Sequence, residues 1–421
     1  MKKILVLAYA ISPTRGSEFS VGWNYVLNMS KYYELHVIYG CSGTNIGDTV
    51  EMENYIKSAA LLNVYFYPIK ADRTISILNY LNKRGVLSYS FYLAFRYWHR
   101  LAYKKAERIV KEENISLVHY ITPIGYREPG LLWKLGKPYV WGPVGGTCNI
   151  DYRLFCFLGF KSKIKFALRT IINLMQLNFS RRLRKAVEAS DTVLGCTTET
   201  CSDLEKKVKK RILYLPENAI TAQPFDYSKE KFAFKDGKVH FIWVGRIDAA
   251  KALTILIQAL PLIRYRNDLL IHIVGDGPLK FNMQELACKL EVSECIEWHG
   301  FVPRIEVLDL MKASHVHLMT SLKEANSTVL FEAMSLGLPT ITLDLCGMHD
   351  VVEDNTGIKI GISNGKQQIL ADYAAAIDCF VDKRDKLLNI SEVVRASCEQ
   401  LLWEKRCIFL CQVYDKILNK K

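Results

Sequence analysis

Arg246 and Lys251 follow Gly245 at the end of an apolar run, Val239–Val244. Together they can hold the oxygens of a diphosphate: an arginine fork grips two oxygens at once, and a lysine adds a compact charge. Downstream, Glu324 and Glu332 stand in an E-x7-E spacing, with Ser327 and Thr328 between them where a helical pattern opens. Amides at such a helix start lack intrahelical acceptors and favour an anion. Glu332 falls inside the apolar run Val329–Met334, where a carboxylate is costly to bury without a partner. It can accept two hydrogen bonds from a vicinal diol such as ribose. Gly275-Asp276-Gly277-Pro278 reads as a tight turn opening a helix, and it is not a GxGxxG fingerprint. Backbone groups in Gly300, Phe301 and Val302 can meet a nucleobase edge. The plainer reading of Arg246 and Lys251 taken alone is a pair of solvated surface charges.

These residues sit in loops, so regular elements must hold them. In the second half, Val239–Val244, Leu269–Val274, Ile296–His299, Val316–Met319 and Thr340–Leu343 read as buried strands. Helices are predicted over 252–260 and near 279–290, 305–313 and 328–336. In the first half, strands are predicted at Ile4–Ala8, Leu35–Tyr39, Val64–Ile69, Leu117–Ile121, Tyr139–Trp141 and Thr192–Gly195. This alternation implies two doubly wound α/β domains, whose ligands bind at the carboxyl ends of the strands. The pattern breaks near 215–238. The expected division is 1–217 for the first domain and 218–397 for the second, with a helix in 398–421 returning to the first. That helix carries the stripe Trp403, Cys407, Cys411, Tyr414 and Leu418. A surface helix on the second domain is the alternative.

The length of 421 residues is too great for one compact core. With 50% apolar and 24% charged residues, disorder and coiled coil are excluded. The net charge of +13 points to a phosphorylated small molecule, a polyanion or an anionic membrane face. Nucleic acid is the poorer match, because no nucleic-acid-binding motif is present. Twelve cysteines contain no CxxC pair, which excludes a zinc ribbon or thioredoxin motif and fits a reduced compartment. Met1–Ile11 superficially resembles a signal peptide, but it has strand length and leads through Pro13 into a helical pattern, so it reads as a first buried strand. No stretch is apolar for the ~18 residues that span a bilayer.

Four ordered motifs, VGRIDAAKAL, GDGPL, HGFVPRIEVLDLM and E-x7-E followed by AMSLGLPTI, together resemble the C-terminal half of glycosyltransferase family 4, over roughly 239–357. GSEFSVGWN, HYITPIGYREPG and WGPVGG resemble a bacterial branch of that family that builds surface polysaccharides or glycolipids. LPENAI resembles its interdomain junction and the C-terminal WEK stretch its crossing helix. Ala325 and Ala219 stand where many relatives have glycine.

The resemblance implies a GT-B fold, two Rossmann-like domains facing a cleft. It implies retaining transfer from a nucleotide-diphosphate sugar, the co-substrate, with no other cofactor. It would have Arg246 and Lys251 neutralise the leaving diphosphate, Glu332 bind the ribose, Glu324 face the donor sugar, and amides near Ser327 and Thr328 complete the phosphate site. It would bring His119 to the donor sugar or reaction centre and the Gly16–Ser17 loop to the phosphates, with a structural strand-end histidine as the alternative for His119. No DxD motif is present, so protein cations are expected to replace a metal. A nucleotide-sugar 2-epimerase-like isomerase and a catalytically silent GT-B binding subunit are the competing readings.

Residues 153–185 hold nine Lys or Arg and no acid, interleaved with aromatic and aliphatic residues. This composition suits an interfacial helix on an anionic leaflet, or a core helix with a solvated basic face. The expected partners are a saccharide or lipid-linked saccharide acceptor and an anionic membrane surface, with the protein cytoplasmic and peripheral on the inner face of the membrane.

Overall fold

In the computed structural model, the described residues are 1–15, 18–41, 50–58, 61–84, 90–220 and 229–420. They form two compact units. The first holds 1–147, 174–217 and 403–421; the second holds 148–173 and 218–402.

The first unit is built on a parallel sheet of seven strands: β1 (Lys3–Ala8), β2 (Glu34–Cys41), β3 (Val64–Lys70), β4 (Leu117–Thr122), β5 (Tyr139–Val144), β6 (Thr192–Gly195) and β7 (Leu213–Tyr214). Their spatial order is β3-β2-β1-β4-β5-β6-β7. β1 is central, paired with β2 and β4, and Ile4 to Ala8 are fully buried. The segment that superficially resembles a signal peptide is thus the middle of a core. Its continuous apolar run matches a parallel strand covered on both faces.

The second unit has six parallel strands: β8 (Val239–Val244), β9 (Leu269–Val274), β10 (Ile296–Gly300), β11 (Val316–Met319), β12 (Thr340–Leu343) and β13 (Gly357–Ile360). The order is β10-β9-β8-β11-β12-β13. Direction of winding reverses between β8 and β11, which are neighbours. In open α/β sheets ligands bind at this switch point, outside the carboxyl ends of the strands. Here those ends lead into the loops carrying Arg246 and Lys251 on one side and Glu324 on the other.

The eleven strands read from sequence are all present. β7 and β13 are additional; β7 has only two residues, and β13, GIKI, carries Gly357 and Lys359 in place of a continuous apolar run. The helices Lys280–Lys289, Arg304–Ala313 and Thr328–Ser335 fall where expected. The predicted helix over 252–260 is shorter, Thr254–Ala259, and ends in a 3-10 turn at Leu260–Leu262 that contains Pro261.

The C-terminal helix Trp403–Leu418 belongs to the first unit. Tyr414 is fully buried, its hydroxyl 2.5 Å from that of Tyr25. Buried Arg406 donates to the carbonyls of Glu217 (2.9 Å) and Pro216. The sequence stripe is a packing face: Trp403, Cys407 and Tyr414 are buried.

The basic stretch divides. Leu154, Phe157, Leu158 and Phe166 join the core of the second unit with Val239 and Leu256. The helix Phe160–Phe179 also exposes a continuous apolar stripe, with Phe160 77%, Leu168 55%, Ile171 54%, Met175 58% and Phe179 78% exposed. Its outward face is therefore not merely a solvated basic one. Among the described residues no helix is long and apolar enough to cross a membrane.

Candidate active site

The loops at the carboxyl edge of the second sheet are knitted backbone to backbone. Gly245 N–H donates to Val274 O (3.0 Å), Ile247 N–H to Asp276 O (2.9 Å) and Gly275 N–H to Gly300 O (2.7 Å). Gly275 has φ +140°, and a Cβ there would lie 1.9 Å from Gly245 O. Only glycine fits, and it serves this loop packing.

After β8, the Asp248 carboxylate accepts from the amides of Ala250 (2.9 Å) and Lys251 (3.1 Å). Asp248 thus forms the turn that presents Lys251. Arg246 leaves its side chain 73% exposed, with Nε 3.9 Å from Asp248 Oδ2. The Lys251 ammonium lies 2.5 Å from Glu324 Oε2, both side chains about three-quarters buried. A second thread fixes the same pair of loops. Trp243 Nε1–H donates to Thr320 Oγ1 (3.0 Å), whose hydroxyl donates to Lys251 O (2.7 Å). Leu322 N–H donates to Ala250 O (2.8 Å).

Beyond Glu324 the chain turns into the helix Thr328–Ser335. Ser327 is its buried N-cap residue, in extended conformation. Its carbonyl accepts the first helical bond, from Leu330 N–H (3.0 Å). Asn218 Nδ2 donates to Asn326 O at 2.7 Å, tying the interdomain junction sequence to this loop. The loop is clamped from the other side by Gly347, whose N–H donates to Glu324 O (3.0 Å). A Cβ on Gly347 would lie 1.3 Å from Ala325 O. Lys251, Ser327, Ser321 and Trp243 line one small pocket.

One turn into the helix, Glu332 is 16% exposed at its side chain. Arg304 Nε and Nη2 both donate to its Oε1, at 3.0 and 2.6 Å. Burial pushes the Glu332 carboxyl above its usual range, and the Arg304 charge partly offsets this. Arg304 opens the helix after the Gly300, Phe301, Val302 loop, in which Phe301 is 84% exposed. Oε2 takes no part in that ion pair.

Two residues carry signals that composition did not reveal. Arg304 lies within HGFVPRIEVLDLM, where nothing in the sequence marks it as the partner of Glu332. His317, fully buried on β11, lines the Lys251 pocket, and its Nδ1 lies 3.2 Å from Thr340 Oγ1. Burial, aided by the Lys251 charge, lowers its pKa to about 3, so the ring is neutral. Nothing in the short run HVHLM marks it as lining a polar pocket.

In the first unit, His119 on β4 is 1% exposed. Its Nε2–H donates to Gly142 O (2.8 Å), and its Nδ1 lies 2.5 Å from the Tyr414 hydroxyl and 3.3 Å from that of Tyr25. Burial lowers its pKa to about 3. Both nitrogens of His119 are engaged within the first unit, as the alternative of a strand-end structural histidine requires. Gly16 and Ser17 lie outside the described residues. Glu18, which opens the next helix, has its carboxyl pushed up by burial, and it accepts from Ile124 N–H.

Residues 225–396 match the family model described as Glycosyl transferases group 1. The gpi3 subunit of phosphatidylinositol N-acetylglucosaminyltransferase from Schizosaccharomyces pombe is 27% identical over 280 residues, 65% of this chain and 56% of that protein. The chain spans about half the length of the curated relatives it matches. Sucrose-phosphate synthase from Thermosynechococcus elongatus superposes with a TM-score of 0.65 at 16% identity, covering 100% of both chains. TarM from S. aureus, in complex with Fondaparinux, alpha-GlcNAc-glycerol and UDP, gives a TM-score of 0.63 at 12% identity, again over 100% of both. Residues 225–396 therefore resemble a group 1 glycosyl transferase domain, within a chain of two parallel sheets that has the GT-B fold.

Proposed function

We propose that the protein is a glycosyltransferase that moves a hexose from a nucleotide-diphosphate sugar to an acceptor, with retention of configuration and without a catalytic metal. The observation that carries this reading is the pairing of Lys251 with Glu324 at the switch point of the second sheet, beside the N-cap Ser327. A cation and unpaired helix amides at one strand edge form a site for an anion that gains charge during the reaction.

In this reading the donor diphosphate lies against Lys251, Arg246 and the amides at Ser327 and Thr328. Charge builds on the departing diphosphate as the anomeric C–O bond breaks, and fixed donors already aimed there lower the barrier by a few kcal/mol each. The exposed Arg246 fork closes on the phosphate when donor binds. Glu332 Oε2 accepts from the ribose hydroxyls while Arg304 holds Oε1 and partly offsets the effect of burial on the carboxyl. Backbone groups at Gly300, Phe301 and Val302 take the base, and Glu324 faces the donor sugar. UDP in the TarM complex and the N-acetylglucosaminyl transfer named for the S. pombe relative support a nucleotide-sugar donor.

The acceptor is proposed to be a saccharide or lipid-linked saccharide, in cell-surface polysaccharide or glycolipid synthesis, bound on the side of the first unit. The relative's phosphatidylinositol substrate supports a lipid-linked class. The apolar stripe on Phe160–Phe179, flanked by Lys161, Lys163, Lys165 and Arg169, would lie on an anionic leaflet of the inner membrane face. Incubation with UDP-, GDP- and dTDP-sugars, reading nucleotide release with and without acceptor lipid extract, tests the activity. Donor interconversion without nucleotide release would instead indicate the epimerase class, and binding without turnover a silent subunit.

A further inference from the structure

The second unit carries a ladder of histidines that the proposed transfer does not use. His240 on β8, His272 on β9 and His299 on β10 point to one face of the sheet. His272 stands directly opposite Glu297 across the β9–β10 pair, and His299 follows two residues on, at a register shift between Trp298 and Gly300. The ladder is bonded end to end. His240 Nε2 lies 2.7 Å from Asp236 Oδ2, His240 Nδ1 lies 2.9 Å from His272 Nε2, and His272 Nδ1 lies 3.0 Å from His299 Nε2.

This chain has a direction. An ionised carboxylate only accepts, so His240 Nε2 carries the proton and its Nδ1 has a lone pair. His272 Nε2–H therefore donates to His240, which leaves His272 Nδ1 as a bare lone pair. That atom faces His299 Nε2 at 3.0 Å and Glu297 Oε2 at 3.4 Å, and Glu297 Oε1 lies 3.8 Å from His299 Nε2. Two donors held ~2.0–2.1 Å from a tetrahedral cation lie roughly 3.3–3.4 Å from each other, so the His272–His299 and His272–Glu297 separations are near those such an ion needs. The three side chains also differ in exposure in a useful way. His272 and His299 are mostly buried, whereas Glu297 is about half exposed, leaving an entry path and room for water as a fourth ligand.

We propose that His272, Glu297 and His299 bind one divalent transition cation of the zinc class, with Asp236 and His240 holding His272 in its ligating tautomer. Imidazole with one carboxylate selects zinc, nickel or copper over magnesium or calcium. A carboxylate–histidine relay behind a ligating histidine is the usual outer shell of such sites. Of the other clusters of this kind among the described residues, Glu34, His36 and Glu113 in the first unit are already occupied by Lys3, whose ammonium lies 3.0 Å from both carboxylates. The ion would cross-link β9 to β10 just before Gly300, and it takes no part in holding the donor diphosphate. This inference stands independently of the transferase reading.

The test is zinc binding to the purified full chain after chelator treatment, by calorimetry and by metal analysis after dialysis. Differences between wild type and variants cancel any contribution of the free thiols. Wild type is expected to hold one zinc more than His299→Ala, and Glu297→Gln to bind at least tenfold more weakly. Asp236→Asn leaves all three ligands in place and is expected to weaken binding 10–100-fold through the relay. Glu297→Gln is isosteric and half exposed, so it reports even if His299→Ala folds poorly. Equal zinc content and affinity in wild type and Glu297→Gln would overturn the site, and wild-type affinity in Asp236→Asn would overturn the relay.

Discussion

The ammonium of Lys251 lies 2.5 Å from the carboxylate of Glu324, two side chains brought together from the loops after β8 and β11. Before a donor arrives, the cation is already held by the first acid of the E-x7-E pair. A donor diphosphate must share or displace that carboxylate. Lys251→Ala is expected to lower kcat/KM for the nucleotide sugar by about 10²–10³, the range for losing one preorganised charge-stabilising donor. Glu324→Gln is expected to lower it as well. Because the two groups touch, the double variant is expected to lose less than the sum of the singles. Steady-state nucleotide release measures all three, and strictly additive losses would show that the pair does not act together.

Arg304 and Glu332 make a second coupled pair, with a pH signature. The Glu332 carboxyl is pushed up by burial and drawn back down by Arg304. Arg304→Ala removes the offset, so the carboxyl takes up a proton at higher pH. A protonated carboxyl is the poorer acceptor for ribose hydroxyls. Donor affinity in wild type is expected to fall only as the solution becomes acidic, and in Arg304→Ala to fall from a pH nearer neutrality. Nucleotide Kd measured across that range checks the shift, and superposable profiles would contradict it.

Gly347 controls the loop from behind. A Cβ there would meet Ala325 O at 1.3 Å, whereas a Cβ at Gly361 would meet nothing within 4 Å. Gly347→Ala is expected to cost about 1–3 kcal/mol of stability by overpacking and to reduce turnover by moving Glu324. Gly361→Ala is expected to be neutral in both. Urea unfolding with turnover assays separates the two variants.

The fold was legible because parallel strands buried on both faces are written as short apolar runs, and Val239–Val244 or Ile4–Ala8 can be little else. The edge strands β7 and β13 escaped because β7 has two residues and β13 interrupts its apolar positions with Gly357 and Lys359. The site was legible at the level of residue types, since arginine, lysine and a buried glutamate beside strand ends are unusual. Which groups touch was not. Lys251 and Glu324 are joined by the order β8-β11, a property of the whole sheet, and Arg304 looks like any exposed cation opening a helix. The partners of His119 were not legible either: the carbonyl of Gly142 and the hydroxyl of Tyr414, distant in sequence, meet its two nitrogens. The Asp236–His240–His272–His299 ladder lies across three strands and has no linear spacing to read.

Burial of neutral histidines predicts acid lability. His99, His119 and His317 are each held to a pKa of about 3, chiefly by burial. As pH falls below about 6.5, the unfolded chain takes up protons that the folded chain refuses until about pH 3. The stabilising difference is therefore complete above pH 6.5 and lost on acidification, at about 1.4 kcal/mol per pH unit for each ring. Between pH 7 and pH 5 the three together are expected to remove about 6 kcal/mol, seen as a lower urea midpoint. An unchanged midpoint would mean that these rings are not buried as described.

Nucleotide release from a panel of UDP-, GDP- and dTDP-sugars, compared between wild type and folded Glu332→Ala, tests the donor site most directly. Release from at least one donor by wild type, with a loss of about 10² or more in the variant at unchanged urea midpoint, is the expected result. Release at the wild-type rate by Glu332→Ala, or none by wild type from any donor in the presence of acceptor extract, would contradict it.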